Sequence, residues 1–252
     1  MKRIKLIVAY DGTNYCGWQV QDNGITIEGV LNRELSSLLG CETEVIGASR
    51  TDSGVHALGN VCIFDTESRI PPEKYAYALN ARLPEDIRIV DSCEVEPDFH
   101  PRYRDSIKTY EYRIWNDRFM NPVMRLYTKF CYYDLDVDAM ERAGQYLVGE
   151  HDFKSFCSEK AEVLTTVREI TDISVSRDDR DERKITIRVT GKGFLYNMVR
   201  IISGTLIEVG TGLRTVESVK DTLEACKRET AGPTAPAKGL VLKGIIFKEQ
   251  VL

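Results

Sequence analysis

Along the first hundred or so residues, the spacing of apolar side chains switches repeatedly between a period of two and a period near 3.6. Turn-forming residues mark each switch, and this constrains the fold more than any other feature. Arg3 to Tyr10 alternates as a strand, with Ile4, Leu6, Val8 and Tyr10 on one face. Thr26 suits a helix N-cap. Behind it Ile27, Val30, Leu31, Leu35, Leu38 and Leu39 form one stripe, and Gly40 supplies the stop. Glu42 to Ala48 and Asn60 to Phe64 read as strands around a polar turn. Pro71-Pro72 opens a second helix that ends near Leu83-Pro84, and Ile87 to Val95 reads as a strand. Strand, helix, strand, strand, helix, strand is the order of a split βαβ, ferredoxin-like unit.

The second part repeats the order loosely. Ile107 to Trp115 and Leu126 to Tyr132 are strand-like. Asp136 or Asp138 starts a helix carrying Ala139, Met140, Ala143, Tyr146 and Leu147. Val167 to Ser176 and Lys184 to Val189 are strands joined by a charged turn over 178–183. A helix follows from about Leu195 to Val209, another starts at Thr215, and Leu240 to Phe247 reads as a closing strand. The expected fold class is α+β: two ferredoxin-like halves whose mainly antiparallel sheets join into one central sheet, with helices packed on one side. Pro97 and Pro101 interrupt the strand pattern and place the joint. The halves are 1–103, with the Asp52 turn, and 104–252, with Tyr110 and the helix bearing Arg200.

Composition narrows the function classes. Apolar content of 42% and charged content of 29% over 252 residues are ordinary for a water-soluble chain, and no apolar run approaches a membrane span. The N-terminus runs from Met1-Lys2-Arg3 straight into a strand pattern and lacks the long apolar region of a signal peptide, so a cytoplasmic protein is expected. The seven cysteines are odd in number, widely spaced and without a C-x-x-C pair, which argues against a disulfide framework and a zinc site. The three histidines have no local metal-ligand spacing, so no metal is expected. Gly191-Lys192-Gly193-Phe194-Leu195-Tyr196 follows a strand and opens a helix, but Tyr196 stands where a dinucleotide loop needs its third glycine. With no P-loop signature elsewhere, no cofactor is expected.

The candidate chemistry centres on Ser49-Arg50-Thr51-Asp52-Ser53-Gly54-Val55-His56-Ala57. A carboxylate fixed in a tight turn beside an arginine is a good reactive group, because a neighbouring cation keeps it ionised. The plainer role for such an aspartate is an Asx-turn. Arg200 is flanked by Met198, Val199, Ile201 and Ile202, so it is expected to be half-buried and to need an anion, unless it snorkels to solvent. His56 suits a structural or substrate-ordering role, since a Ser/His/Asp triad draws its members from separate segments. From His100 to Arg125, six basic residues outnumber three acidic ones and are interleaved with Tyr103, Tyr110, Tyr112, Trp115 and Phe119. That mixture suits a nucleic-acid face and equally suits a solvated strand with core aromatics.

The assembled segments resemble the tRNA pseudouridine synthase A family over nearly the whole length. They are Tyr10-Asp11-Gly12-Thr13 with Tyr15, Gly17-Trp18-Gln19, the Arg50-Thr51-Asp52-x-Gly54-Val55-His56-Ala57 signature, and Asn80-Ala81-Arg82-Leu83-Pro84 with Asp86-Ile87. Phe99-His100-Pro101-Arg102, Lys108-Thr109-Tyr110-x-Tyr112, His151-Asp152-Phe153 with Ser155-Phe156, and Gly191-x-Gly193 through Arg200 complete the set. The resemblance implies that Asp52 is the catalytic aspartate, that Tyr110 packs on the target base, and that Arg200 pairs with Asp52. Arg50 and His56, on either side of Asp52, are candidates for substrate binding. The resemblance implies conversion of uridine to pseudouridine at tRNA positions 38, 39 and 40, in the anticodon arm, by a homodimer without metal or cofactor, one tRNA lying across both subunits. A net charge of −5 then requires basic residues to converge on a groove, with Arg82, Arg102, Arg104, Lys108 and Lys154 as candidates. A non-catalytic RNA-binding module and a small-molecule glycosidase are the rival readings. The second calls for another carboxylate near the first, which no matching motif supplies.

Overall fold

The computed structural model describes residues 1–159 and 163–248, and these divide into two compact units. One comprises Met1–Ser106 with the chain from Leu242 onward, and the other is Ile107–Val241. The division thus falls a few residues beyond the expected 103/104, and most of the last strand, from Leu242, belongs with the first unit.

In the first unit β1 (Lys2–Tyr10) leads to α1 (Ile27–Leu39). Ile4, Leu6, Val8 and Tyr10 are buried, as their alternation predicted. The Thr26 hydroxyl accepts from the Gly29 N–H, and Gly40 ends the helix in the left-handed region, so both caps fall where expected. Ile27, Val30, Leu31 and Leu35 form the buried stripe, while Leu38 and Leu39 are half-buried. β2 shrinks to Ile46–Gly47, and β3 extends over His56–Thr66. His56 and Ala57 are therefore strand residues and not part of the turn. α2 covers only Tyr75–Asn80, behind a 3-10 turn at Pro72–Lys74. The Asn80 amide ends it by bonding both backbone groups of Ile89 at 2.8 Å, which anchors the helix to β4 (Ile87–Val95). β1 pairs antiparallel with β3 and β4, and β2 pairs antiparallel with β3, giving the order β4-β1-β3-β2 of a split βαβ unit. Val8 pairs with Asn60 but Tyr10 with Ala57, so β3 carries one extra residue there, a bulge at Leu58-Gly59 beside the polar turn.

In the second unit β5 (Ser106–Asn116) is followed by β6, which is only Lys129–Cys131 and pairs parallel to β5. The strand expected from Leu126 is shortened because a 3-10 turn capped by Asn121 occupies Pro122–Met124, and the Thr128 hydroxyl donates back to Met124 O. α3 (Val137–Gln145) starts behind Asp136, whose carboxylate accepts from the Ala139 N–H. Tyr146 falls just beyond the helix and is exposed. β7 (Gly149–Asp152) was not foreseen. β8 (Val167–Asp178) and β9 (Asp181–Gly191) run further than expected, leaving a two-residue turn. The antiparallel order is β5-β9-β8-β7, with α3 packed on β8 and on α4 (Met198–Gly210). α4 begins after Asn197, whose φ of 61° no α-helix admits, so Leu195 lies outside it. α5 (Ser218–Ala225) starts after Thr215, whose hydroxyl accepts from the Ser218 N–H.

β10 (Leu240–Phe247) matches its predicted limits and lies beside β3. Ten strands and five α-helices among the described residues make an α+β chain, as the sequence implied. No helix among these residues is long and apolar enough to cross a membrane.

Candidate active site

The Asp52 turn is built by its own backbone and held by distant segments. The Val55 N–H donates to Asp52 O at 3.1 Å, closing a four-residue turn across Ser53-Gly54. Gly54 has φ 76°, the left-handed value that the third position of a type II turn demands. Asp52 itself is half-buried, whereas Arg50 and Ser53 are exposed and Thr51, Val55 and His56 are buried.

Three segments grip this turn. From β1, the Tyr10 hydroxyl lies 2.7 Å from Thr51 Oγ1. From β3, the fully buried Asn60 amide donates to Ser49 O at 2.9 Å and to the Tyr10 oxygen at 3.3 Å. From the loop over 11–18, the Trp18 N–H donates to Thr51 O at 3.0 Å. Tyr15 O accepts from the Gly54 N–H at 3.3 Å and from the Ser53 hydroxyl at 3.2 Å. A Cβ on Gly12 would stand 2.0 Å from Val55 O, so this loop lies directly on the turn's backbone.

His56 faces the same loop. The Gly12 N–H donates to His56 Nδ1 at 3.1 Å, and Asp11 Oδ1 lies 3.1 Å from that nitrogen. The two contacts belong to different protonation states, since Nδ1 accepts from an amide only when it carries no proton. The amide is fixed by the 3-10 turn at Gly12–Asn14, and Asp11 already accepts from Thr13 N–H and Oγ1. Behind the loop, the Tyr15 hydroxyl donates to Asp86 Oδ1 at 2.6 Å. Burial, and then this bond, push the Tyr15 phenol well above its ordinary range, so it remains a donor at any physiological pH.

Of the basic candidates in this unit, Arg82 is tied to α1, donating to Ser37 Oγ at 2.6 Å and standing 3.8 Å from Glu34. Arg102 donates to Gly47 O at 2.9 Å, and Arg104 lies 5.9 Å from the Phe99 ring centroid. All three thus have a partner within the fold.

In the second unit Tyr110 sits on β5 opposite Val189, buried and edge-on to Phe194 at 5.2 Å. Tyr112 and Trp115 are core residues, whereas Tyr103 and Phe119 are exposed, so the basic and aromatic stretch divides between the two roles. Its Arg113 pairs with buried Glu111 at 3.1 Å, as does Arg188. Arg200, near the start of α4, is half-buried. It donates through Nε to Ala235 O at 2.8 Å and through Nη1 to Asn197 Oδ1 at 2.6 Å. The left-handed backbone of Asn197 therefore serves to place its amide under the guanidinium. Lys154 is exposed, and Lys108 is half-buried.

A family model described as tRNA pseudouridine synthase matches residues 6–104 and 143–248. The chain is 46% identical to the tRNA pseudouridine synthase A of Acetivibrio thermocellus over 98% of its own length and all of that protein's. The figures are the same for the Brevibacillus brevis protein of that name. It is 47% identical to the Halalkalibacterium halodurans protein, over 96% of this chain and 91% of the other. The chain belongs to the tRNA pseudouridine synthase family. This family comprises isomerases acting on tRNA uridine.

Tyr10, Tyr15, Asn60 and Asp86 carry no site role in the sequence pattern, although Tyr10, Tyr15 and Asp86 lie within the segments that carry the resemblance. Nothing in their local spacing ties them to Asp52, because the contacts join residues far apart in the chain. The buried amide of Asn60, in an otherwise apolar strand pattern, was the available signal.

Proposed function

We propose that this synthase isomerises uridine to pseudouridine at positions 38, 39 and 40 of the tRNA anticodon stem-loop, with Asp52 as the catalytic carboxylate acting on a flipped-out nucleotide. The observation that carries the reading is the mounting of Asp52. Its turn is bonded by Tyr10, Tyr15, Trp18 and Asn60 from three other segments, while its side chain keeps partial exposure. A merely structural Asx-turn needs no such scaffold, whereas a catalytic group must be held still.

The reaction breaks the C1′–N1 bond, turns the uracil, and forms a C1′–C5 bond. The C5 proton leaves and N1 gains one, so no electrons are exchanged, and a carboxylate with a proton shuttle suffices. Asp52 serves any of three routes: addition to C1′, addition to C6, or removal of a ribose proton to give a glycal. In each, an ionised carboxylate near C1′ stabilises oxocarbenium-like charge. Arg200 is its counter-ion and keeps it ionised. Extruding the nucleotide costs a few kcal/mol. Stacking on Tyr110 returns about 1–3 kcal/mol. Arg50 and His56 order the substrate around the turn. Arg82, Arg102, Arg104, Lys108 and Lys154 meet phosphates, and the enzyme acts in the cytoplasm as a homodimer spanned by one tRNA. Phosphate contacts of this kind make tRNA affinity fall steeply with salt, and a titration between low and physiological salt measures that slope.

The test is release of the C5 hydrogen from tRNA labelled at uridine C5, combined with mapping of pseudouridine at positions 38 to 40. Wild-type protein releases it and Asp52→Ala does not. No release from any tRNA removes the reading.

A further inference from the structure

We infer that Tyr15, locked by Asp86, is a positioning residue for the Asp52 turn, an inference that rests on the catalytic reading of Asp52. Tyr15 has two ends, and each does one thing. Its carbonyl accepts from both Ser53 Oγ and Gly54 N, the two residues that follow Asp52 and form the bend. Its hydroxyl donates to Asp86 Oδ1 at 2.6 Å, a short bond to a carboxylate. The ring between them is buried, with 7% exposure.

Asp86 holds the same loop twice, since its own carbonyl accepts from the Asp11 N–H at 2.9 Å. Asp86 is in turn set by the start of β4, where the Ile87 N–H donates to Pro84 O at 3.1 Å. A continuous path of bonds therefore runs from β4 through the Asp86 carboxylate and the Tyr15 ring to the backbone beside Asp52. The loop cannot slide along this path, because Gly12 already touches Val55 O and Trp18 N is bonded to Thr51 O. Loss of the Asp86 bond removes the tether on the Tyr15 ring and loosens the carbonyl that holds Ser53-Gly54, although the backbone bonds of the loop remain. The consequence is an Asp52 carboxylate spread over more positions than the one that reaches the reacting sugar carbon.

The experiment compares Tyr15→Phe, Asp86→Ala and Asp86→Asn in full-length protein, measuring the single-turnover rate of isomerisation and tRNA affinity separately. Tyr15→Phe keeps the ring and removes the donor. Asp86→Asn keeps an acceptor oxygen and provides the conservative rescue. Tyr15→Phe and Asp86→Ala should each slow the single-turnover rate about tenfold with tRNA affinity unchanged, the scale of a lost hydrogen bond to a charged group. The double variant should be no slower than either single, because both break one link. Asp86→Asn should recover most of the rate. Wild-type rates for Tyr15→Phe and Asp86→Ala overturn the inference, as does a loss confined to affinity. Asp52→Ala, run in parallel, separates the two levels. An active Asp52→Ala sinks the catalytic reading itself, whereas an inactive Asp52→Ala beside a fully active Tyr15→Phe sinks only the positioning role.

Discussion

Two aspartate-bearing turns in this chain, one at Asp52 and one between β8 and β9, are built in opposite ways. The β8–β9 turn is bonded mainly by its own residues, with one longer pair from Arg183 to Asp117. The Asp178 carboxylate accepts from the N–H groups of Arg180 and Asp181, and Asp181 pairs with Arg183 at 2.7 Å and Lys184 at 3.3 Å. The Asp52 turn instead depends on Tyr10, Tyr15, Trp18 and Asn60, drawn from a strand, a loop and the far side of a bulge. A turn that only has to reverse the chain is made from local bonds. One that must present a group at a fixed position recruits long-range bonds, each of which orders backbone that would otherwise wander. The contrast predicts that perturbing the first turn leaves activity alone, whereas perturbing the second, or what touches it, does not.

The largest expected effect is at Asp52 itself. Asp52→Ala should reduce isomerisation by about a thousandfold or more, the scale of a lost catalytic group. The melting midpoint should fall modestly, because the half-buried Arg200, its proposed counter-ion, is left without a carboxylate. Release of the C5 hydrogen measures the first quantity and thermal unfolding the second. Next is Gly12→Ala. Its Cβ would stand 2.0 Å from Val55 O, so the loop and the turn must part. A destabilisation of about 1–3 kcal/mol is expected from such overpacking. A drop in rate should accompany it, since the displaced atom lies three residues from Asp52. Normal activity with lowered stability would show that the turn tolerates movement and would break the comparison.

Asn60→Ala comes third. It removes the amide that bonds Ser49 O and the Tyr10 hydroxyl in a site with no exposure. Losing those buried bonds should cost about 1–3 kcal/mol, read from a denaturant titration with unchanged m. The rate should fall less than for Gly12→Ala, because the Tyr15 and Trp18 contacts remain.

The same contrast explains what was legible in the sequence. Elements specified by local chemistry were read closely: β1 from its alternation, α1 from the Thr26 and Gly40 caps, and β10 to the residue. β7 was missed because Gly149-Glu150-His151-Asp152 carries no apolar alternation, and its pairing with β8 alone makes it a strand. β6 shrank because a proline-led turn took over the residues before it. At the site, the polar run around Asp52 was visible as a composition, but its supports were not. The Tyr15 to Asp86 and Tyr10 to Thr51 bonds span a large separation in the chain, and no period or spacing encodes them.

The smallest effect belongs to the mainly self-bonded turn and sharpens the comparison from the other side. The hydrogen bond from Arg183 leads the causes that hold the Asp181 carboxyl below the usual carboxylate range. A carboxylate whose folded pKa lies below its unfolded value of about 3.9 contributes stability that is present above that pH. The contribution is lost as pH falls through the lower, folded value. Removing this group therefore matters only above that window. Asp181→Asn should narrow the difference between the neutral and strongly acidic melting midpoints while leaving the acidic one unchanged. The size should be small, because Arg183 and Lys184 are each about half in solvent and a screened surface pair contributes little. Isomerisation should proceed at the wild-type rate. A clear loss of activity in Asp181→Asn would mean that the β8–β9 turn also carries functional load, and mainly local bonding would then cease to distinguish a structural turn from a working one.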